Sequence, residues 1–186
     1  MTTLNENGIL RYTGDYRQLL FFRKAVVLYD MTFWFKNRYL QSGDRTQDQM
    51  EQAARSGKQN IAEGMEDGLT SVEMEIKLLN VARGSLQELQ EDYKDYLRVH
   101  DLALWDKTHP RYEAMKEYCY HHHEPQQYKP YFEQWNEEEF CNVAITLCHQ
   151  ADRGLMSYIA KVEKAFLESG GIREQMTVAR KNARGY

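Results

Sequence analysis

The chain has 186 residues, enough for one domain with a substantial core, and its 42 % apolar and 28 % charged residues exclude a disordered polymer. A formal charge of −4 excludes a uniformly basic surface, but the charge is uneven: Arg173, Arg180, Lys181 and Arg184 against Glu174 make residues 172–186 +3 and leave −7 on residues 1–171. Cys119, Cys141 and Cys148 form no CxxC pair, the opening MTTLNENGIL has no secretory pattern, and no apolar run approaches the roughly 20 residues that cross a bilayer, so a reducing cytoplasm is the expected compartment.

The dominant period is helical. Leu19, Phe22, Val26, Tyr29 and Phe33 step by three and four, and Leu20, Val27, Met31 and Trp34 make a second stripe beside them. A helix with two apolar faces is expected to be buried on both, one against the core and one against a partner subunit. A second helix is predicted from Thr46, with Gln49 completing a capping box, and Met50, Ala53, Ala54, Gly57, Ile61 and Gly64 form its narrow face of small residues. Thr70 and Glu73 open a third helix, predicted to run to about Trp105 with Val72, Ile76, Leu79, Ala82, Leu86, Leu89, Tyr93 and Tyr96 as its stripe. All three prolines follow, so 108–136 is a connector, with a short helix predicted from Thr108–Pro110 to about His123. Asn136 and Glu139 box the start of the last long helix, whose stripe runs Phe140, Val143, Leu147, Ala151, Leu155, Tyr158, Val162 and Phe166. Gly170 and Gly171 stop it, and the basic suffix continues as a short helix or an arm.

Two glycines inside a helix each cost roughly 1 kcal/mol against alanine. Gly57 and Gly64 lie seven apart on one face, and the third helix carries Ala82, Gly84 and Ser85. Small residues on both let the two backbones approach. Polar groups beside such a crossing need partners, so Asn60 or Glu63 is expected to bond Ser85, Arg55 or the backbone of the third helix.

The stretches QMEQAARSGKQNIAEG (Gln49–Gly64) and SVEMEIKLLNVARGSLQEL (Ser71–Leu89) resemble the four-helix-bundle family of 23S rRNA intervening-sequence proteins. The resemblance is carried by Asn60, Ile61, Ala62, Glu63 and Gly64, loosely by Ala54 and Ser56, and then by Ala82, Gly84, Ser85 and Glu88. It implies an antiparallel four-helix bundle that assembles as a homopentamer, with Asn60, Glu63, Gly64, Gly84, Ser85 and Glu88 as structural signature positions. A related accessory protein of diversity-generating retroelements binds nucleic acid and a reverse transcriptase, so a nucleic-acid enzyme is an implied class of partner. The long connector departs from the minimal family, and the ending LESGGIREQMTVARKNARGY resembles a subgroup with a C-terminal suffix.

Sites are sparse. Gly57–Lys58 lacks the upstream glycine and the downstream Ser/Thr of a phosphate loop. A di-metal bundle site needs Glu-x-x-His on two helices, and the nearest match is Asp106-x-x-His109. CYHHH (Cys119–His123), with Cys141 and Cys148, is the sharpest zinc candidate, although buried free cysteines also serve as small apolar residues. No nucleophile signature occurs, so no catalytic residue is assigned and the chain is expected not to be an enzyme. The tyrosine-rich connector and the basic tail point to nucleic acid: Arg173, Arg180, Lys181 and Arg184 as phosphate contacts, Tyr128 and Tyr131 as base contacts. Tyrosines over the end of a bundle also suit plain packing.

The chain is therefore expected to be all-α: an antiparallel four-helix bundle over 1–171 with an extended connector, and a basic suffix over 172–186. The expected function is a non-catalytic homo-oligomeric module, without cofactor or membrane, binding RNA, DNA or a nucleic-acid enzyme through its tails. The alternatives are a protein-interaction scaffold and a zinc protein or enzyme using the Cys/His cluster.

Overall fold

The structure, a computed structural model, describes residues 14–184 and the backbone of 3–4 and 11–12, but not the side chains of 169, 172, 173, 175 and 183. Among the described residues the regular secondary structure is helical apart from one two-residue antiparallel pair, Thr3–Leu4 with Arg11–Tyr12. The helices are α1 (Leu20–Tyr39), α2 (Arg45–Asp67), α3 (Val72–Val99), α4 (Tyr112–His121), α5 (Pro125–Tyr128), α6 (Glu137–Ser169) and α7 (Ile172–Arg184). Four of them close a cycle: α1 packs on α2, α2 on α3, α3 on α6 and α6 on α1, while α4 lies on α6.

Local chemistry moves several predicted boundaries. The α2 cap is Asp44, whose carboxylate accepts from the Thr46 amide, and the α3 cap is Ser71, whose hydroxyl accepts from the Met74 amide. The Asn136/Glu139 box at the start of α6 forms as expected. α3 stops at Val99, well before Trp105: the Leu102 amide donates to the Leu97 carbonyl, with Asp101 in the left-handed region at φ 54°. This is the hydrogen-bond pattern of a glycine-type helix stop, with aspartate in the position glycine usually holds. The connector helix α4 begins at Tyr112, later than predicted, because Asp106 draws the Thr108 amide and hydroxyl into a turn.

α1 buries one face. Phe21, Lys24, Ala25, Val27, Leu28, Met31, Thr32 and Phe35 point inward, whereas Phe22, Val26 and Tyr29 are half-buried and Phe33 is 50 % exposed. Phe35 is the centre of an aromatic cluster with Tyr39, Tyr93, Tyr96 and Phe140, and Trp34 stacks on Phe140 at 5.3 Å. Thr32 and Tyr93 share a 3.0 Å hydrogen bond inside this layer.

α2 and α3 cross closely at their glycines. A Cβ on Gly57 would stand 2.9 Å from Leu86 Cδ2, and one on Gly64 would stand 3.2 Å from Leu78 Cβ and 3.3 Å from the Glu75 carbonyl oxygen. The expectation for Gly84 is corrected: a Cβ there meets nothing within 4 Å, because Gly84 faces away from the crossing. The two classes of glycine should respond oppositely to alanine. Gly64→Ala is expected to destabilise by about 1–3 kcal/mol through overpacking, and Gly84→Ala to stabilise by up to about 1 kcal/mol through helix propensity. Urea denaturation of both variants checks this; a destabilising Gly84→Ala would place another surface against that face.

Candidate functional site

The basic suffix is a helix. Gly170 caps α6 at φ 70°, and α7 starts two residues later, with the Gly171 amide donating to Glu174 Oε2. Arg180, Lys181 and Arg184 are exposed on α7, whereas the side chain of Arg173 lies outside the described residues. The two tyrosine candidates part company. Tyr128 is completely buried, donates its hydroxyl to the His122 carbonyl at 2.9 Å and meets Tyr118 edge-on, so no face is open to a base. Its assignment as a base contact is corrected to core. Tyr131 is half-buried and stacks one face on Trp135 at 5.3 Å.

The signature residues build a polar seam along α2 and α3. Ser56 and Ser85 share a 2.9 Å hydrogen bond, and Asn60 Nδ2 donates to the Ser56 carbonyl and hydroxyl. Asn60 therefore reaches Ser85 only through Ser56, and Glu63 and Glu88 are exposed. A groove of 420 Å³ runs along the seam, lined by Gln52, Ser56, Ser85, Glu88 and Asp92 among others. Burial, with Asp95 and Glu88 nearby, pushes the Asp92 carboxyl up to about 6.

The cysteines do not converge. Among the described residues no group of three or more His, Cys, Asp or Glu side chains could hold a metal ion. All three thiols are buried, and burial raises each above the usual range, Cys119 to about 12. Zinc binds thiolates, which such surroundings disfavour. His122 of the histidine run is committed elsewhere: its ring stacks on Tyr118 at 3.8 Å and Nδ1 meets the Tyr118 carbonyl at 2.8 Å.

The sequence reading missed a cleft. It occupies 1220 Å³ along α1, α4 and α6, and Lys24, Lys116, His123, Gln150 and Arg153 are among its lining residues. Lys24 is 5 % exposed, and its ammonium donates to the Cys119 carbonyl at 2.5 Å. Burial lowers its pKa from 10.5 to about 8. His123 Nδ1 and Gln150 Oε1 are buried without a hydrogen-bond partner, and burial together with Lys24 and Arg23 lowers the His123 pKa. The signal was present: Phe21, Lys24, Leu28, Met31 and Phe35 share one helical stripe, with a cation at one rung.

No protein-family model, no curated protein and no solved structure matches this chain.

Lys24 makes a stability prediction. Its folded pKa lies below its unfolded one, so between about 8 and 10.5 the unfolded chain binds more protons and the lysine's penalty fades as pH rises. Lys24→Met should melt higher than the parent at pH 7, with the gap closing as pH rises through that window. The buried thiols act in the opposite direction above pH 9.0 but cancel in the difference between the two proteins. Thermal melts of both under reducing conditions, from neutral pH to pH 10.5, check it.

Proposed function

We propose that the chain is a non-catalytic, homo-oligomeric module of the intervening-sequence protein type, presenting α7 to nucleic acid or to a nucleic-acid enzyme in the cytoplasm. The four long helices make an antiparallel bundle in this reading. Support comes from the levels at which they touch: Gly64 with Glu75 and Gly57 with Leu86, Glu75 with Tyr158 and Arg83 with Asp152, Phe21 with Gly154 and Phe35 with Phe140. Residue numbers rise along one helix of each pair as they fall along the other.

The observation that carries the functional reading is α7: three exposed cations on a helix that follows a glycine stop, at the end of an otherwise acidic chain. Exposed cations bind phosphates without sequence preference. Self-association is supported by the outer stripe of α1, where Phe33 is 50 % exposed. A groove of 590 Å³ beside it is lined by Phe33, Trp34, Pro130 and Phe132 among others. Repetition of the arm around an oligomer would add avidity.

The protein-interaction scaffold is the second reading. It is favoured by the acidic groove on α2 and α3, where Glu88 and Asp92 repel phosphate.

The test is binding of labelled single-stranded and duplex RNA and DNA across a salt series, with light scattering to count subunits. The parent is expected to bind and to weaken steeply with salt. Replacing Arg180, Lys181 and Arg184 together by Gln should cost at least about tenfold in affinity and flatten the salt slope. No binding by the parent at low salt would discard the nucleic-acid reading and leave the scaffold.

A further inference from the structure

We propose that the cleft along α1, α4 and α6 is a binding site for a phosphate monoester carried on a small hydroxylated aromatic body, the chemistry of a free mononucleotide. Its polar groups converge from three helices. Phe21 of α1 lies against Gly154 of α6, at 3.1 Å from the position of a Cβ there, and Phe35 meets Phe140 further along. Those two contacts fix the relative levels of α1 and α6. Lys24 lies about a turn beyond Phe21, and Gln150 lies one turn before Gly154, so the two stand at one level. α4 closes the third side: the Cys119 carbonyl accepts from Lys24, and His123 follows four residues later, close enough for its ring to feel the Lys24 charge.

The buried members of this group lack the partners that buried polar groups ordinarily have. Lys24 is a buried cation whose ammonium, among the described residues, bonds only a neutral carbonyl. Arg153, exposed and next to Gly154, lines the same cleft in no ion pair among the described residues, whereas Lys116 is paired with Glu113. Two cations without carboxylate partners suit a dianion better than a single carboxylate. His123 Nδ1 and Gln150 Oε1 are buried with no partner in the protein. In its Nδ1–H tautomer the neutral His123 ring donates to a phosphate oxygen, and the Gln150 carbonyl accepts from a hydroxyl or amino group of the ligand body. Apolar surface is at hand in Leu20, Leu104 and Tyr120, which are 52 %, 53 % and 67 % exposed and line the same cleft. A concave space with an apolar wall and a few convergent polar groups is the usual form of a small-molecule site.

The site is separate from α7, and the experiment keeps the two apart. Adenosine 5′-monophosphate, adenosine and inorganic phosphate are titrated by calorimetry into the full-length protein and into Lys24→Met, Arg153→Gln and the exposed control Lys164→Gln. The mononucleotide is expected to bind saturably and at least about tenfold tighter than either fragment, since it alone engages both the cations and the apolar wall. Lys24→Met and Arg153→Gln should each weaken it by about tenfold or more, the loss of one charge-assisted hydrogen bond. Lys164→Gln should leave it unchanged. A melt on each variant shows that it is folded, and the mononucleotide should raise the melting temperature of the parent but not of Lys24→Met. The proposal is overturned if the mononucleotide binds no tighter than inorganic phosphate, if Lys24→Met binds as the parent does, or if no saturation appears by about 10 mM, where binding would be worth under about 3 kcal/mol.

Discussion

The approach of α2 to α3 at Gly57 and Gly64 is the contact from which the other packing follows. With no Cβ at either position, the Leu86 and Leu78 side chains lie directly on the α2 backbone. The helix-propensity cost of the glycines is offset by that burial. Beside that crossing Ser56 of α2 and Ser85 of α3 bond one another, and Asn60 bonds Ser56 along α2. A third glycine extends the same logic. Gly68, just past α2, leaves room for the buried Glu75 carboxylate, which a Cβ there would meet at 2.6 Å. Glu75 in turn accepts from the Tyr158 hydroxyl at 2.8 Å, so the position of α2 is passed through α3 to α6.

Lys24 works against this economy. Its rung on the α1 stripe falls between Phe21 and Leu28, where an apolar side chain of similar length would pack at no electrostatic cost. The chain compensates only in part, with one carbonyl from α4. The cost is concentrated where α4 and α6 leave space, and where His123 and Gln150 also bury unpartnered atoms. Two unpartnered buried side-chain atoms beside a buried lysine without a carboxylate partner, the only such atoms among the described residues, are the pattern of a region shaped by something other than folding.

Much of the fold was legible because helical period is a strong signal in long elements. The α3 and α6 stripes are buried nearly rung by rung, and the Asn136/Glu139 box sits where the sequence puts it. Ends were harder to read. The stop after Val99 uses Asp101 in a left-handed conformation, and aspartate, unlike glycine, is not a distinctive mark of one. Gly84 and Gly57 look alike in sequence and differ only in which way the helix turns them. Tyr128 reads as a surface aromatic beside Pro130 and Lys129, yet the α5 turn folds it inward onto Tyr118. The cleft was illegible for a related reason. Its members come from α1, α4 and α6, and only Lys24 betrays itself locally, as a cation on an apolar stripe.

Charge on α7 and charge in the cleft obey different physics. Arg180, Lys181 and Arg184 are exposed, so their attraction for phosphate is screened over a Debye length of about 8 Å at physiological salt. Phosphates met there exchange freely with counterions, which suits a long polyanion touched at many points. Lys24 is buried, and its field is screened far less. A ligand reaching it must shed water and present its charge in a fixed place, which suits a compact anion and discriminates on shape. The proposed polyanion contact on α7 and the proposed recognition of a single anion in the cleft can therefore coexist on an acidic protein without competing.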